Sequence, residues 1–153
     1  MLTYIRGDLT LETQGLIVHS VNAQGVMGSG IAKAIRDKWP EVYEAYRTHV
    51  QGKAAMGKVQ FVNIADNFYV ANLWGQEFFG NDGAVYADKA AIKRGLITAF
   101  EFCEDYNLEL KMPMIGALRG GLDWNSEVVP IINQVMMIHP DVVVKIIDIN
   151  VPL

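Results

Sequence analysis

Residues 16 to 32 hold the side chains best suited to chemistry. An apolar run, Leu16-Ile17-Val18, leads into His19 and Asn22 and then into Gly25-Val26-Met27-Gly28-Ser29-Gly30, three glycines within six residues. From Ile31 and Ala32 onward the pattern turns helical. A strand, a loop of bare backbone and a helix start together make an anion site, because loop N–H groups and a helix N-terminus both favour negative charge. Glycine also lets main chain approach a phosphate where a Cβ would stand in the way. The loop therefore reads as a diphosphate holder, with the polar residues before it acting on an attached sugar. It lacks the lysine and Ser/Thr of a P-loop and the glycine offsets of the dinucleotide fingerprint.

A second glycine loop, Gly116-Ala117-Leu118-Arg119-Gly120-Gly121-Leu122-Asp123-Trp124, follows another apolar run and also precedes a helical pattern. One such loop can serve tight packing alone; two at strand ends point to a ligand. His19 sits in an otherwise apolar strand. It is either a core histidine with one satisfied hydrogen bond or a proton donor and acceptor near the ligand, since its ordinary pKa lies near working pH. Asp8, after a strand and Gly7, either shapes a turn or accepts a hydrogen bond from an exocyclic amine. Asp123 is either a carboxylate favoured by a helix N-terminus or a group that orients water beside the phosphate loop. His49 and His139 read as surface or helix-end residues, and Cys103 and the Met136-Met137 pair as packing.

These residues need a scaffold. Strands are expected at 2–6, 15–20, 58–64, 68–73, 108–115 and 141–149, with a polar turn at Asp66-Asn67. Ser29 can cap a helix whose apolar stripe is Ile31, Ala34, Ile35 and Trp39. Pro40 stops that helix and starts another, running to Gly52. A loop from Gly75 to Gly83 precedes the longest helix, Asp88 to Tyr106, and Asn125 or Ser126 opens the last one. Strands alternating with helices indicate an α/β sandwich, in which ligands sit beyond the carboxyl ends of the strands. Both glycine loops lie there.

The 153 residues suit one domain with a full core, at 51% hydrophobic and 20% charged. A net charge of −4 argues against binding nucleic-acid backbone through clustered cations. The single cysteine leaves no internal disulfide and suits a reducing cytoplasm. No Cys/His spacing suggests a metal, no run of residues is long and apolar enough for a membrane span, and no signal peptide is evident. The expectation is a soluble cytoplasmic monomer.

Taken in order, Gly7-Asp8-Leu9, His19-Ser20-Val21-Asn22, Met27 to Ala32 and Gly116 to Trp124 resemble the macrodomain family over essentially the whole chain. The resemblance implies a three-layer α/β/α sandwich around a mixed six-stranded sheet, an ADP-ribose-type ligand and no cofactor. It places Asp8 and Leu9 at the adenine, with base contacts near Asn150. It places Gly28, Ser29, Gly30 and Ile31 around the diphosphate with Gly116, Ala117, Leu118, Arg119, Gly120, Gly121 and Leu122. Asn22 would meet the distal ribose, and His19, Asn22 and Asp123 would stand at the reacting end. His19-Ser20-Val21-Asn22 and Leu73-Trp74-Gly75-Gln76 are most similar to the ADP-ribose 1″-phosphate phosphatase branch. The neighbouring branch, which removes ADP-ribose from macromolecules including DNA, shares Gly121 to Trp124 but uses a lysine about where Gln76 stands. Phosphate release from ADP-ribose 1″-phosphate is thus the expected activity. Its rivals are a non-catalytic ADP-ribose-binding module, a hydrolase of ADP-ribosylated macromolecules or O-acetyl-ADP-ribose, and, should the resemblance fail, an α/β nucleotide-phosphate binder. Nucleic acid enters only as an ADP-ribosylated substrate.

Overall fold

A computed structural model describes residues 2–80, 82 and 84–153; Asn81 and Gly83 of the 75–83 loop, and the Leu118 side chain, lie outside what is described. The strands are β1 (Leu2–Arg6), β2 (Gly15–Asn22), β3 (Val59–Ala65), β4 (Phe68–Gln76), β5 (Leu110–Met112) and β6 (Val144–Asp148). The helices are α1 (Gly30–Lys38), α2 (Pro40–Arg47), α3 (Lys89–Tyr106) and α4 (Val129–Ile138). The strands form one six-stranded sheet in the order β1-β6-β5-β2-β4-β3. β3 is antiparallel to β4, and the other pairings are parallel.

Side chains along β2 alternate between the two faces of the sheet. Leu16 and Val18 join the layer of α3 and α4, while Ile17 and Val21 join that of α1 and α2. Both faces are thus covered, which explains why β2 reads as a continuous apolar run. The result is the α/β/α sandwich with a mixed sheet.

Local chemistry sets the ends of these elements. Asp88 caps α3 by accepting from the Ala91 amide at 3.0 Å, and left-handed Asn107 closes it. The β3–β4 hairpin turns on Asn67, whose φ is +56°. Three expectations ran long. α2 ends at Arg47, where the Thr48 hydroxyl and the Gln51 amide take the carbonyls of Glu44 and Tyr46. β5 stops at Met112 because Pro113 has no N–H for the ladder, and β6 begins only at Val144, after a turn closed by Val142 N–H on His139 O. Ala34, expected on the apolar stripe of α1, is exposed at the edge of the cavity described below. Among the described residues no helix is long and apolar enough to cross a membrane.

Candidate functional site

A cavity of about 840 Å³ runs along the carboxyl edge of the sheet. Its lining comes from the ends of five adjacent strands: Gly7 and Asp8 after β1, Ile147 to Asn150 at β6, Pro113 to Ala117 after β5, Ser20 to Asn22 on β2, and Gln76 on β4. Four strand spacings make it roughly 19 Å long, enough for several linked ring and phosphate units.

At one end stand two carboxylates. Asp8 Oδ1 accepts from the Thr10 hydroxyl at 2.7 Å and the Thr10 amide at 2.9 Å. These bonds, the hydroxyl's first, hold the carboxyl below the usual aspartate range. Asp148, at the end of β6, accepts from the Met114 amide at 2.9 Å and from both the main chain and the amide side chain of Asn150, each at 2.9 Å. It ties the chain after β5 to the chain after β6. Sequence reasoning singled out Asn150 and missed Asp148. A carboxylate closing a β-branched strand at the ligand edge was the available signal.

The middle of the cavity is main chain. Gly28, Ser29, Gly30 and Ile31 line one wall, and Gly116, Ala117, Arg119 and Gly120 the other. Ser29 holds the N-cap position of α1 without the expected cap bond, and the first turn has no acidic residue. Across the cleft, Arg119 reaches over Gly30, its Nε 3.7 Å from where a Cβ on Gly30 would sit. Among the described residues its guanidinium has neither a carboxylate partner nor a side-chain hydrogen bond. A cation therefore faces a helix N-terminus across the cleft.

The other end is shaped by a bulge. Val21 pairs with Trp74 but Asn22 with Gln76, so β4 carries Gly75 as an extra residue. A Cβ on Gly75 would run into the Ser20 hydroxyl, and bulges of this kind re-aim neighbouring side chains. Asn22 and Gln76 both line the cavity as a result. The Asn22 side chain also organises its own loop, donating to Val26 O at 2.8 Å and accepting from Gln24 N at 3.0 Å. Gln76 donates to Phe78 O at 2.8 Å, and Phe79 lines the mouth while 54% exposed.

Two expected catalytic residues are not brought to this cavity. His19 faces the α2 layer, fully buried, with Nε2 donating to Asn72 Oδ1 at 2.6 Å. Asn72 in turn donates to Gln60 Oε1 at 3.0 Å, and Gln60 to Ala45 O at 2.8 Å. The three side chains occupy paired positions on β2, β4 and β3, a polar ladder under α2. Burial pushes the His19 pKa down to about 4, partly offset by the Asn72 bond. The ring is therefore neutral in the fold and titrates near its ordinary value when unfolded. The folded state then binds fewer protons between about pH 6.5 and 4, so the contribution is present in full above that window and falls away as pH drops through it. Denaturant melts from pH 7 to 4 are expected to lose about 3 kcal/mol to this residue, and a His19→Gln variant should show a flatter profile.

Asp123 is the other. Its carboxylate accepts from the Ser126 amide and hydroxyl, both at 2.8 Å, while its own N–H donates to Glu127 Oε2 at 2.7 Å. The Ser126 amide, then the hydroxyl, lowers its pKa. Asp123 caps the π-turn Trp124–Val128 that leads into α4, and it does not line the cavity. Asp123→Ala is expected to lower the melting temperature by roughly 2–4 °C and to leave affinity at the cavity unchanged by titration calorimetry. Gly121 and Leu122 also fall outside the lining; Leu122 is buried among α3 and α4 side chains.

The Macro domain family model matches residues 18–131. A DNA ADP-ribosyl glycohydrolase of Mycobacterium tuberculosis is 29% identical over 136 residues, covering 82% of this chain and 36% of that protein. An ADP-ribose 1″-phosphate phosphatase of Neosartorya fischeri is 39% identical over 61 residues, 39% of this chain and 30% of that one. The chain thus spans about a third of the length of these curated relatives. The solved macrodomain of Mycobacterium tuberculosis DarG superposes with a TM-score of 0.79 at 28% identity, over 97% of both chains. With the family model matching most of its length and a solved macrodomain superposing over 97% of it, this chain belongs to the Macro domain family.

Proposed function

We propose that the cavity binds ADP-ribose and that the chain hydrolyses the phosphate ester of ADP-ribose 1″-phosphate. The observation that carries the binding reading is Arg119, a cation without a carboxylate partner set across the cleft from the α1 N-terminus. Both positive groups favour a diphosphate between them. The carboxylate end then receives the nucleobase: Asp8 accepts from an exocyclic amine through the oxygen that Thr10 leaves free. The distal ribose extends to Asn22 and Gln76, whose amides bond sugar hydroxyls or a phosphoryl oxygen.

In the ester reaction a water oxygen bonds to phosphorus as the bond to the 1″ oxygen breaks, one water proton passes to that departing oxygen, and loop N–H groups steady the phosphoryl charge. Neither histidine nor lysine lines the cavity among the described residues, so catalysis rests on positioning rather than a strong base, and turnover is slow. The partial similarity to the Neosartorya fischeri phosphatase supports this choice.

One observation favours a second reading, removal of ADP-ribose from DNA. Phe78 and Phe79 lie 57% and 54% exposed at the Gln76 end, where a group attached to the distal ribose would emerge, and the glycohydrolase relative aligns over most of the chain. The missing lysine opposes a covalent amine route.

Titration calorimetry with ADP-ribose, followed by product analysis on three substrates, tests these readings. Phosphate released from ADP-ribose 1″-phosphate supports the first, and ADP-ribose released only from a modified oligonucleotide supports the second. Tight binding with no product from these or from O-acetyl-ADP-ribose leaves a capture module. An absence of binding overturns all three.

A further inference from the structure

We propose that Tyr46, a residue of α2 outside the cavity, is a positioning residue that sets the shape of the first glycine loop. Its ring is fully buried. Its hydroxyl oxygen lies 2.6 Å from Asn22 O and 2.8 Å from Asn22 Oδ1, and its single proton donates to this pair of acceptors. Asn22 Oδ1 also accepts from the amides of Gln24 and Val26, at 3.0 and 3.4 Å, and Asn22 Nδ2 donates to Val26 O at 2.8 Å. The loop from Asn22 to Val26 thus folds back on one amide side chain, and one hydroxyl holds that side chain from below.

The hydroxyl is held in turn. Asn72 donates to Val42 O at 3.3 Å, Gln60 to Ala45 O at 2.8 Å and Gln51 to Tyr46 O at 2.8 Å. The Tyr46 ring packs 5.6 Å from that of Trp74. Three side-chain donors therefore fix α2, and α2 fixes the loop. This gives the buried ladder of His19, Asn72 and Gln60 a purpose: it anchors the support on which Asn22 and the following glycines rest. The ladder acts on the site without touching it.

Tyr46→Phe keeps the ring and removes only the hydroxyl. Amide exchange at Gln24 and Val26 in the unliganded protein is expected to speed up by about tenfold, the worth of one hydrogen bond, while amides of β6 and α4 stay as they were. Affinity for ADP-ribose is expected to fall by about the same factor, while affinity for adenosine, which engages only the Asp8 end, is unchanged. The choice of ADP-ribose as probe rests on the function proposed above; the exchange measurement does not. Faster loop exchange in a chain whose wild type ignores ADP-ribose would uphold the role of Tyr46 and sink that function. Unchanged exchange with unchanged ADP-ribose affinity overturns the role. A uniform loss of protection, or equal losses for ADP-ribose and adenosine, also overturns it, since that is what a purely structural tyrosine would produce. If Tyr46→Phe folds poorly, NMR of the wild type decides instead. A slowly exchanging Tyr46 hydroxyl proton with cross-relaxation to the Gln24 and Val26 amides, which share the Asn22 Oδ1 acceptor with it, is expected, and its absence defeats the proposal.

Discussion

Arg119→Glu is expected to weaken ADP-ribose binding by about a hundredfold, and Arg119→Ala by roughly tenfold, in titration calorimetry at low salt. The middle of the cavity is lined mostly by glycines and small residues, whose main chain a substitution cannot remove. Arg119 is the one cationic side chain among the described residues lining it. Removing it would delete the charge-assisted bond to the diphosphate that we propose. Reversing it sets a like charge against two phosphates and against the electrostatic preference of the α1 N-terminus. The alanine cost is kept modest because the guanidinium is exposed and partly screened. The same exposure makes the difference between wild type and Arg119→Ala shrink as ionic strength rises. A salt-independent difference, or equal affinities for wild type and Arg119→Glu, would show that the anion does not sit between Arg119 and α1. The melting temperature should be nearly unchanged in both variants, since Arg119 makes no side-chain bond with other described residues.

Gly121→Ala is expected to cost about 3–5 kcal/mol of stability, because it combines two penalties at one residue. Gly121 has a φ of +82°, in the left-handed region, and a Cβ there would lie 2.8 Å from Ala84 O and 2.9 Å from Val85 Cα. Both obstacles are main chain and cannot rotate away. The 84–87 segment lies against this loop because the amides of Tyr86 and Ala87 donate to Gly120 O, at 2.9 and 3.0 Å. Relieving the clash therefore breaks bonds that hold Gly120, a residue of the cavity wall. Thermal melts should fall by about 10 °C, with ADP-ribose affinity weakened in whatever fraction stays folded. Gly25 makes the comparison: its φ is +79°, but a Cβ would meet nothing within 4 Å. Gly25→Ala should carry only the backbone penalty, roughly 1–2 kcal/mol. If Gly121→Ala costs no more than Gly25→Ala, the close approach of the two segments is wrong.

What the sequence alone determined are the features set by neighbours in the chain. Hydrophobic runs and their period marked six strands and four helices, since burial selects those patterns directly. Glycine-rich stretches at the ends of two strands marked the walls of the cavity, because only bare backbone can form them. Asp8 was visible as a carboxylate at a strand end. The tertiary structure decided which side chains meet. The strand order sets β1 beside β6, so Asp8 and Asp148, 140 positions apart in the sequence, close the same end of the cavity. The alternation of β2 turns His19 toward α2 and away from the ligand edge. The run His19-Ser20-Val21-Asn22 cannot reveal this, because it does not say which layer covers which face or where β4 inserts Gly75. Asp123 follows a glycine loop in sequence, but its Oδ1 caps the turn at Ser126, three residues on, and the residue lies outside the cavity lining. Arg119 and Tyr46 gain their roles only from partners 89 and 24 positions away, Gly30 and Asn22. Periodicity follows from the chain's own geometry, whereas a binding site depends on contacts between distant segments, and those exist only once the sheet has set the order of its strands.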